Sequence, residues 1–111
     1  MNLLAIDTVT EMASIALLSN DDLLVAEAFV PQQHTHVILE MVQKQMMTSG
    51  LSFAQLDAIA FSRGPGSFTG LRICASITQG LAIAYDLPVI PVSSLAILAQ
   101  GSYRQDNKSN V

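Results

Sequence analysis

Residues 58–73 read AIAFSRGPGSFTGLRI, and they join an apolar run, a glycine loop and the start of a helical pattern without a break. The run AIAFS (58–62) is typical of a buried strand. Gly64 and Gly66 predict a turn whose backbone angles a β-carbon would forbid. A long helix is predicted from about Ser67 to Tyr85. Loops at such a junction often hold phosphate, because the free N–H groups at a helix N-terminus attract anions.

The glycine spacing of this loop fits neither of the common phosphate-binding templates. A Walker A loop requires G-x-x-x-x-G-K-[ST], but only three residues separate Gly66 from Gly70, and Leu71 stands where the lysine would be. The dinucleotide pattern G-x-G-x-x-G reaches Thr69 in place of its third glycine. The spacing therefore favours a structural turn. The alternative is that the loop contacts an anion, which could be a ligand shared with a partner. The candidate anion loop comprises Arg63, Gly64, Gly66, Ser67, Thr69 and Arg72.

The remaining elements follow from periodicity and turn signals along the chain. Strands are predicted at 3–7, 13–19, 23–30, 58–62 and 89–92, and helices at 35–48, 67–85 and from Ser93 or Ser94 to Gln100. Asn20-Asp21-Asp22 predicts a hairpin turn, Pro31 ends the third strand, and Gly50 ends the first helix. The order βββαβαβα predicts an α/β fold with helices packed on a mixed sheet. This order resembles the ribonuclease H-like half-domain of actin-like ATPases. Residues 1–100 form the predicted lobe, and the polar residues 101–111 are expected to be disordered or a truncated linker.

Composition and charge exclude several classes of function. Only 13% of the 111 residues are charged, against about 25% in an ordinary soluble domain, which indicates apolar surface for a partner. A net charge of −4 with five scattered bases disfavours direct nucleic-acid binding. No apolar run approaches the ~18 residues of a membrane span, and the first residues, which lack a basic region and a small-residue cleavage site, predict no secretory signal. The single Cys74 fits a reducing compartment, so we predict a cytoplasmic protein, and any link to nucleic acid would have to be indirect.

The two long helices carry more apolar residues than one core requires. Apolar side chains cover an arc of about 200° on the first helix and about 220° on the second, where a single core needs ~100° or a little more. We therefore predict a helical docking surface, while burial of both helices inside one lobe is the alternative. The predicted partner interface comprises Val37, Ile38, Met41, Val42, Met46, Gly70, Ile73, Ile77, Gly80 and Ala84.

Few residues combine into a catalytic set. Asp7 ends the first strand, where kinase-like relatives of this fold keep a magnesium-associated aspartate, although a turn or capping role is the stronger interpretation. His34 and His36 are two residues apart, and helical metal ligands require a spacing of four. Ser67 lacks a G-x-S-x-G elbow, and Cys74 lies on a helical apolar face. The sequence predicts no metal site and no catalytic residues.

The glycine-loop block RGPGSFTGLRI (63–73) resembles the hallmark of the TsaB (YeaZ) family. LLAIDT followed by ASIALL resembles the first hairpin of that family, and VSSLAILAQ (92–100) falls in the expected order. Cys74 stands where the family usually has glycine, and Glu40 replaces a common proline. Members are roughly twice as long, so the resemblance implies that this chain is the N-terminal lobe only.

The resemblance also implies partners and a role. In that family these two helices pair with the equivalent helices of TsaD or, in its absence, with a second copy of TsaB. TsaD transfers a threonylcarbamoyl group to adenosine 37 of certain tRNAs, the ATPase TsaE joins the complex, and TsaB is a non-catalytic scaffold. The chain would need no cofactor of its own, with ATP and magnesium only at a shared complex site. The competing hypothesis is a nucleotide-binding ATPase or phosphotransferase of the actin-like class, which the element order and Asp7 favour.

Overall fold

The computed structural model describes residues 1–8, 10–31, 35–64 and 68–92. Its strands and helices follow the predicted order as far as residue 92, and the predicted last helix and polar tail lie outside the described residues. The elements are β1 (Asn2–Asp7), β2 (Met12–Ser19), β3 (Asp22–Phe29), α1 (Thr35–Ser49), β4 (Ala58–Ser62), α2 (Phe68–Tyr85) and β5 (Val89–Val92), with one 3₁₀ turn at Phe53–Gln55.

The five strands form one mixed sheet in the order β3-β2-β1-β4-β5. β1 pairs antiparallel with β2, and β2 pairs antiparallel with β3. β4 pairs parallel with both β1 and β5. The β2–β3 hairpin closes through Asn20 and Asp21, whose positive φ values of 50° and 75° suit a two-residue turn that matches the twist of the strands. The predicted mixed sheet is confirmed.

Both helices cover the same face of the sheet. The buried core combines inward-facing strand residues with residues of both helices, for example Leu4 and Ile59 with Ile38 and Ile77. Strands β3, β1, β4 and β5 all point the same way, and each helix returns the chain between two of them. Therefore α1 and α2 run side by side in the same direction, as right-handed crossovers on one face require. The C-terminal turns of the two helices lie at the same end of the layer.

The ends of α1 and of the 3₁₀ turn follow local sequence signals. Gly50 has a φ of +80°, and its N–H donates to the Met46 carbonyl at 3.1 Å, which satisfies a carbonyl at the helix end. The Ser52 N–H donates to Gln55 Oε1 at 2.8 Å, one half of a capping box. The predicted end of the first helix at Gly50 is confirmed.

Candidate partner interface and the polar cluster below the glycine loop

A cluster of buried polar groups lies where β1 and β4 end and α2 begins. Thr8 is fully buried, and its hydroxyl donates to the Gly70 carbonyl at 2.9 Å. The Cys74 thiol, also fully buried, donates to the carbonyl of Ile6 at 3.1 Å. Because a polar group that leaves water needs a hydrogen-bond partner, these contacts hold the first turns of α2 in one position against β1.

The electrostatics of the cluster keep the Cys74 thiol neutral. Burial raises the pKa of the Cys74 thiol, and the nearby charge of Asp7 adds to that rise, while hydrogen bonds from Ser62 and Thr8 oppose it. A thiol of raised pKa is a poor nucleophile, because only the thiolate reacts. The apolar helix face on which the sequence places Cys74 is therefore part of the core at this position.

Asp7 belongs to this cluster as well, at the end of β1. Its side chain is 8% exposed, and it takes part in interactions within the lobe. Asp7 is therefore a buried acidic residue at the end of β1, next in the fold to the end of β4 from which the glycine loop leaves. The predicted turn or capping role of Asp7 and the magnesium-associated alternative both stay predictions.

The glycine loop is described at its two ends. Gly64 is buried with a φ of 109°, a conformation that side chains with a β-carbon rarely adopt, which confirms the structural reason for a glycine there. The Arg63 N–H donates to the Val92 carbonyl at 2.8 Å and ties the loop to β5. The predicted loop residues Gly66 and Ser67 lie outside the described residues.

Three predicted anion-loop residues have exposed side chains next to the loop. Arg63 precedes it, and Thr69 and Arg72 lie in the first turns of α2. Arg72 also interacts within the lobe. Their exposure is compatible with anion contact, which stays a prediction.

Only one of the two histidines noted in the sequence lies in the described part of the chain. His34 lies outside the described residues, and exposed His36 places Nε2 3.6 Å from Glu40 Oε2 one helical turn later. Across the described ranges, no group of three or more His, Cys, Asp or Glu side chains is placed to hold a metal ion. Over the same ranges, no helix combines the length and the apolar character that a bilayer crossing requires.

Half of the predicted partner interface is core. The buried residues of that prediction are Ile38, Val42, Met46, Gly70 and Ile77. The structure corrects the prediction that these residues belong to an exposed docking face. The physical reason is that each helix packs against both a twisted sheet and its neighbouring helix, so one lobe covers a wider apolar arc than a single flat contact would.

On α1, the polar residue Gln45 is also part of this wide buried surface. It interrupts the apolar arc in sequence, yet it is 7% exposed, and its Nε2 donates to the Leu24 carbonyl of β3 at 2.9 Å. The hydrogen bond allows the amide to be buried. The buried side of α1 is thus continuous through Gln45.

The other half of the predicted interface reaches the surface. Val37 is 39% exposed, Gly80 and Ala84 are exposed, and Met41 and Ile73 are half-buried. The structure adds two side chains that the prediction omitted, Met47 at 81% and Ile83 at 83% exposure. The prediction missed them because each lies on the otherwise polar side of its helix. The sequence did contain a signal for them, because each is a single apolar residue on the side of its helix opposite the apolar arc.

Gly80, in the interior of α2, belongs to the predicted interface and is exposed. A β-carbon placed there meets nothing within 4 Å among the surrounding atoms. Glycine in a helix interior costs about 1 kcal/mol relative to alanine. The described lobe therefore offers no packing reason for a glycine at this position.

The sheet order, the helix layer and the buried cluster at the ends of β1 and β4 define the class. The chain is a half-domain of the ribonuclease H-like, actin-like class, as predicted. A solved structure, YeaZ from Pseudomonas aeruginosa, superposes with a TM-score of 0.85 at 46% identity and covers 96% of this chain and 50% of that one.

Curated relatives identify the family within that class. The chain is 46% identical over its whole length to the tRNA threonylcarbamoyladenosine biosynthesis protein TsaB of Escherichia coli (strain K12), of which it covers 48%. The TsaB of Haemophilus influenzae (strain Rd) is also 46% identical, with 47% of that protein covered. The chain belongs to the TsaB family, and it spans about half the length of these curated relatives.

A second family shares the lobe. The family model described as "TsaD: tRNA N6-adenosine threonylcarbamoyltransferase" matches residues 27–110. The tRNA N6-adenosine threonylcarbamoyltransferase of Sulfurisphaera tokodaii is 30% identical and covers 84% of this chain, which corresponds to 33% of that protein. The matched residues contain all of α1 and α2.

Proposed function

We propose that this chain acts in the synthesis of N6-threonylcarbamoyladenosine at position 37 of tRNA, as a non-catalytic subunit that binds a TsaD-type transferase. The observation that carries the proposal is the 46% identity over the whole chain to proteins named for this biosynthesis. The chain covers about half the length of those proteins. The proposal therefore concerns this lobe alone and assigns to it the role of binding the transferase.

The docking surface in this proposal is the outward side of α1 and α2. Val37, Met41, Ile73, Gly80 and Ala84 reach it. The match of the TsaD family model over both helices supports a partner that carries an equivalent pair. Two related lobes can pair through equivalent faces about an approximate two-fold axis, as subunits of symmetric dimers do. The same geometry would permit a second copy of this chain to occupy the face when the transferase is absent.

The proposal assigns no chemistry to the polar cluster below the loop. Thr8 and Cys74 donate to backbone carbonyls of the lobe, and the thiol is held neutral by burial. These contacts support a structural role for both side chains. ATP and magnesium would be bound at a site shared within the complex, where TsaE joins, and tRNA would be contacted through the partner. The proposed compartment is the cytoplasm.

A binding measurement with a charge substitution tests the proposal. The purified chain is mixed with TsaD, and the mass of the complex is measured by light scattering after gel filtration. Ile73→Glu places a carboxylate on the docking surface and should abolish the complex, because a desolvated, unpaired charge at an interface is strongly unfavourable. Glu27→Lys, at an exposed position of β3, is the control and should bind normally. Absence of any complex with the unaltered chain would refute the proposal.

Asp7 favours a second candidate, a nucleotide-binding phosphotransferase of the actin-like class. Its buried carboxylate lies at the end of β1 below the glycine loop, where such a protein would place a magnesium-associated group. Calorimetry with ATP and magnesium on the chain alone tests this candidate. Micromolar binding that Asp7→Asn removes would support it, and the absence of heat would exclude it.

A further inference from the structure

The two edges of the sheet differ in how well they can accept another strand. β5 forms one edge with four residues, and the carbonyls of Pro88 and Val92 accept hydrogen bonds from the β4 side. Because successive residues of a strand direct their backbone groups to opposite sides, the backbone of Pro91 points away from the sheet. Proline has no N–H to donate, and on an edge strand it hinders the addition of a further strand. The β5 edge is therefore blocked.

β3 forms the other edge with eight residues, none of which is proline. Asp22 pairs with Ser19 across the two-residue turn, so both residues bond to each other through their backbones. The Val30 N–H, just past the strand, donates to the Glu11 carbonyl at 2.7 Å. The even-numbered residues of β3 therefore bond to β2. The backbone groups of the odd-numbered residues point to the open edge, where no described strand pairs with them: Leu23, Val25, Glu27 and Phe29.

The side chains of these four residues lie on the face of the sheet that α1 and α2 do not cover. Leu24 and Ala28 pack against the core, so the residues that alternate with them face the other way. Phe29 is 63% exposed, and Glu27 is also exposed. From the turn outward, the open edge therefore presents two apolar side chains, one acidic side chain and one apolar side chain.

Charge indicates which kind of strand this edge fits. Residues 1–43 contain six Asp and Glu residues and no Lys or Arg. A second copy of the chain would bring two acidic edges together, and like charges on paired strands are destabilising. A strand that places Lys or Arg opposite Glu27 would instead form a favourable cross-strand pair. The edge is complementary to a basic strand.

We infer that the β3 edge is a docking site for an extended, basic segment of a protein partner, which adds to the sheet as an antiparallel strand. Backbone hydrogen bonds supply affinity in this mode of recognition, and alternate side chains supply specificity. The segment carries an apolar residue opposite Phe29, Lys or Arg opposite Glu27, and apolar residues opposite Val25 and Leu23. None of these β3 residues belongs to the docking surface on the helices, so the inference does not rest on the proposed function.

A synthetic peptide tests the inference. The probe is fluorescein-labelled Val-Thr-Lys-Thr-Val-Thr-Ile, and its binding to the purified chain is measured by fluorescence anisotropy. Saturable binding is expected, and the same peptide with Glu in place of Lys should bind about tenfold more weakly. Absence of binding by the lysine peptide would overturn the inference.

Val25→Pro separates strand addition from contact with side chains alone. It removes an N–H that points to the open edge and leaves the β2–β3 hydrogen bonds in place, as Pro91 does on β5. Affinity for the lysine peptide should fall about tenfold, with the circular dichroism spectrum unchanged. Val25→Thr keeps the N–H and is the matched control, with a change in Kd of about twofold or less. A folded Val25→Pro variant that binds as tightly as the unaltered chain would overturn the inference.

Charge reversal supplies a second test that does not depend on proline. Glu27→Lys should reverse the preference, so that the glutamate peptide binds more tightly than the lysine peptide. Asp22→Lys changes the net charge by the same amount, but its backbone faces β2, and it should retain the preference for lysine. Equal reversal by both variants would show a general charge effect and overturn the inference.

Sedimentation of the unaltered chain tests the competing occupant. A dimer that Val25→Pro converts to a monomer would show that a second copy occupies the edge, and the inference would fail. Ile73→Glu, on the helix surface, should leave peptide binding unchanged. Failure to bind TsaD with intact peptide binding would refute the proposed function alone, and the reverse result would refute the inference alone.

Discussion

The two ends of α2 are built for different purposes. At its N-terminal end, the Gly70 carbonyl accepts a hydrogen bond from Thr8, which follows β1, and the buried Cys74 thiol donates to the Ile6 carbonyl of β1. At its C-terminal end, Gly80 and Ile83 face solvent without a neighbour that requires them. The comparison teaches that one helix can be held rigidly by internal hydrogen bonds at one end and still present an apolar surface at the other.

The largest expected effect contrasts two isoleucines of this helix. Ile77→Ala should lower the free energy of unfolding by about 2–5 kcal/mol, because it removes a side chain that is 5% exposed and leaves a cavity. Ile83→Ala should change it by less than about 0.5 kcal/mol, since its side chain is 83% exposed. Urea unfolding followed by circular dichroism measures both. Equal losses would show that the C-terminal end of α2 is packed internally after all.

A smaller effect is expected at the N-terminal end of α2. Thr8→Val keeps the shape of the side chain and removes the hydroxyl that donates to Gly70, so the free energy of unfolding should fall by about 1–2 kcal/mol. The exposed Thr69 provides the matched control, and Thr69→Val should have almost no effect. If both threonine substitutions are neutral, the buried hydrogen bond does not hold α2 against β1.

The smallest effect concerns pH and Cys74. The folded thiol has a raised pKa, so the folded state retains a proton that the unfolded state releases near its ordinary pKa of about 8.5. The stabilisation is therefore fully present below that pH and decreases as pH rises through the alkaline range. Urea midpoints between about pH 7.5 and 9.5, with a reductant present, should fall more steeply for the unaltered chain than for Cys74→Ala. Parallel slopes for the two proteins would contradict the inferred burial of a neutral thiol.

The sequence predicted most of the local structure because its signals act over a few residues. Asn20 and Asp21 tolerate positive φ, Gly50 ends α1, and alternating apolar residues mark the paired strands. The glycine-loop block (63–73) likewise carried the family resemblance that the relatives confirm. The predicted last helix and the middle of that loop lie outside the described residues.

Which apolar helix residues remain at the surface was decided only in three dimensions. Adjacent positions separate completely, with Met46 at 3% exposure and Met47 at 81%. Composition and helical period determine that a helix has excess apolar surface, because they depend on the order of residues alone. The direction of the sheet, the neighbouring helix and the open space beside Gly80 arise from contacts between distant segments, and those contacts decide which of the apolar side chains remain at the surface.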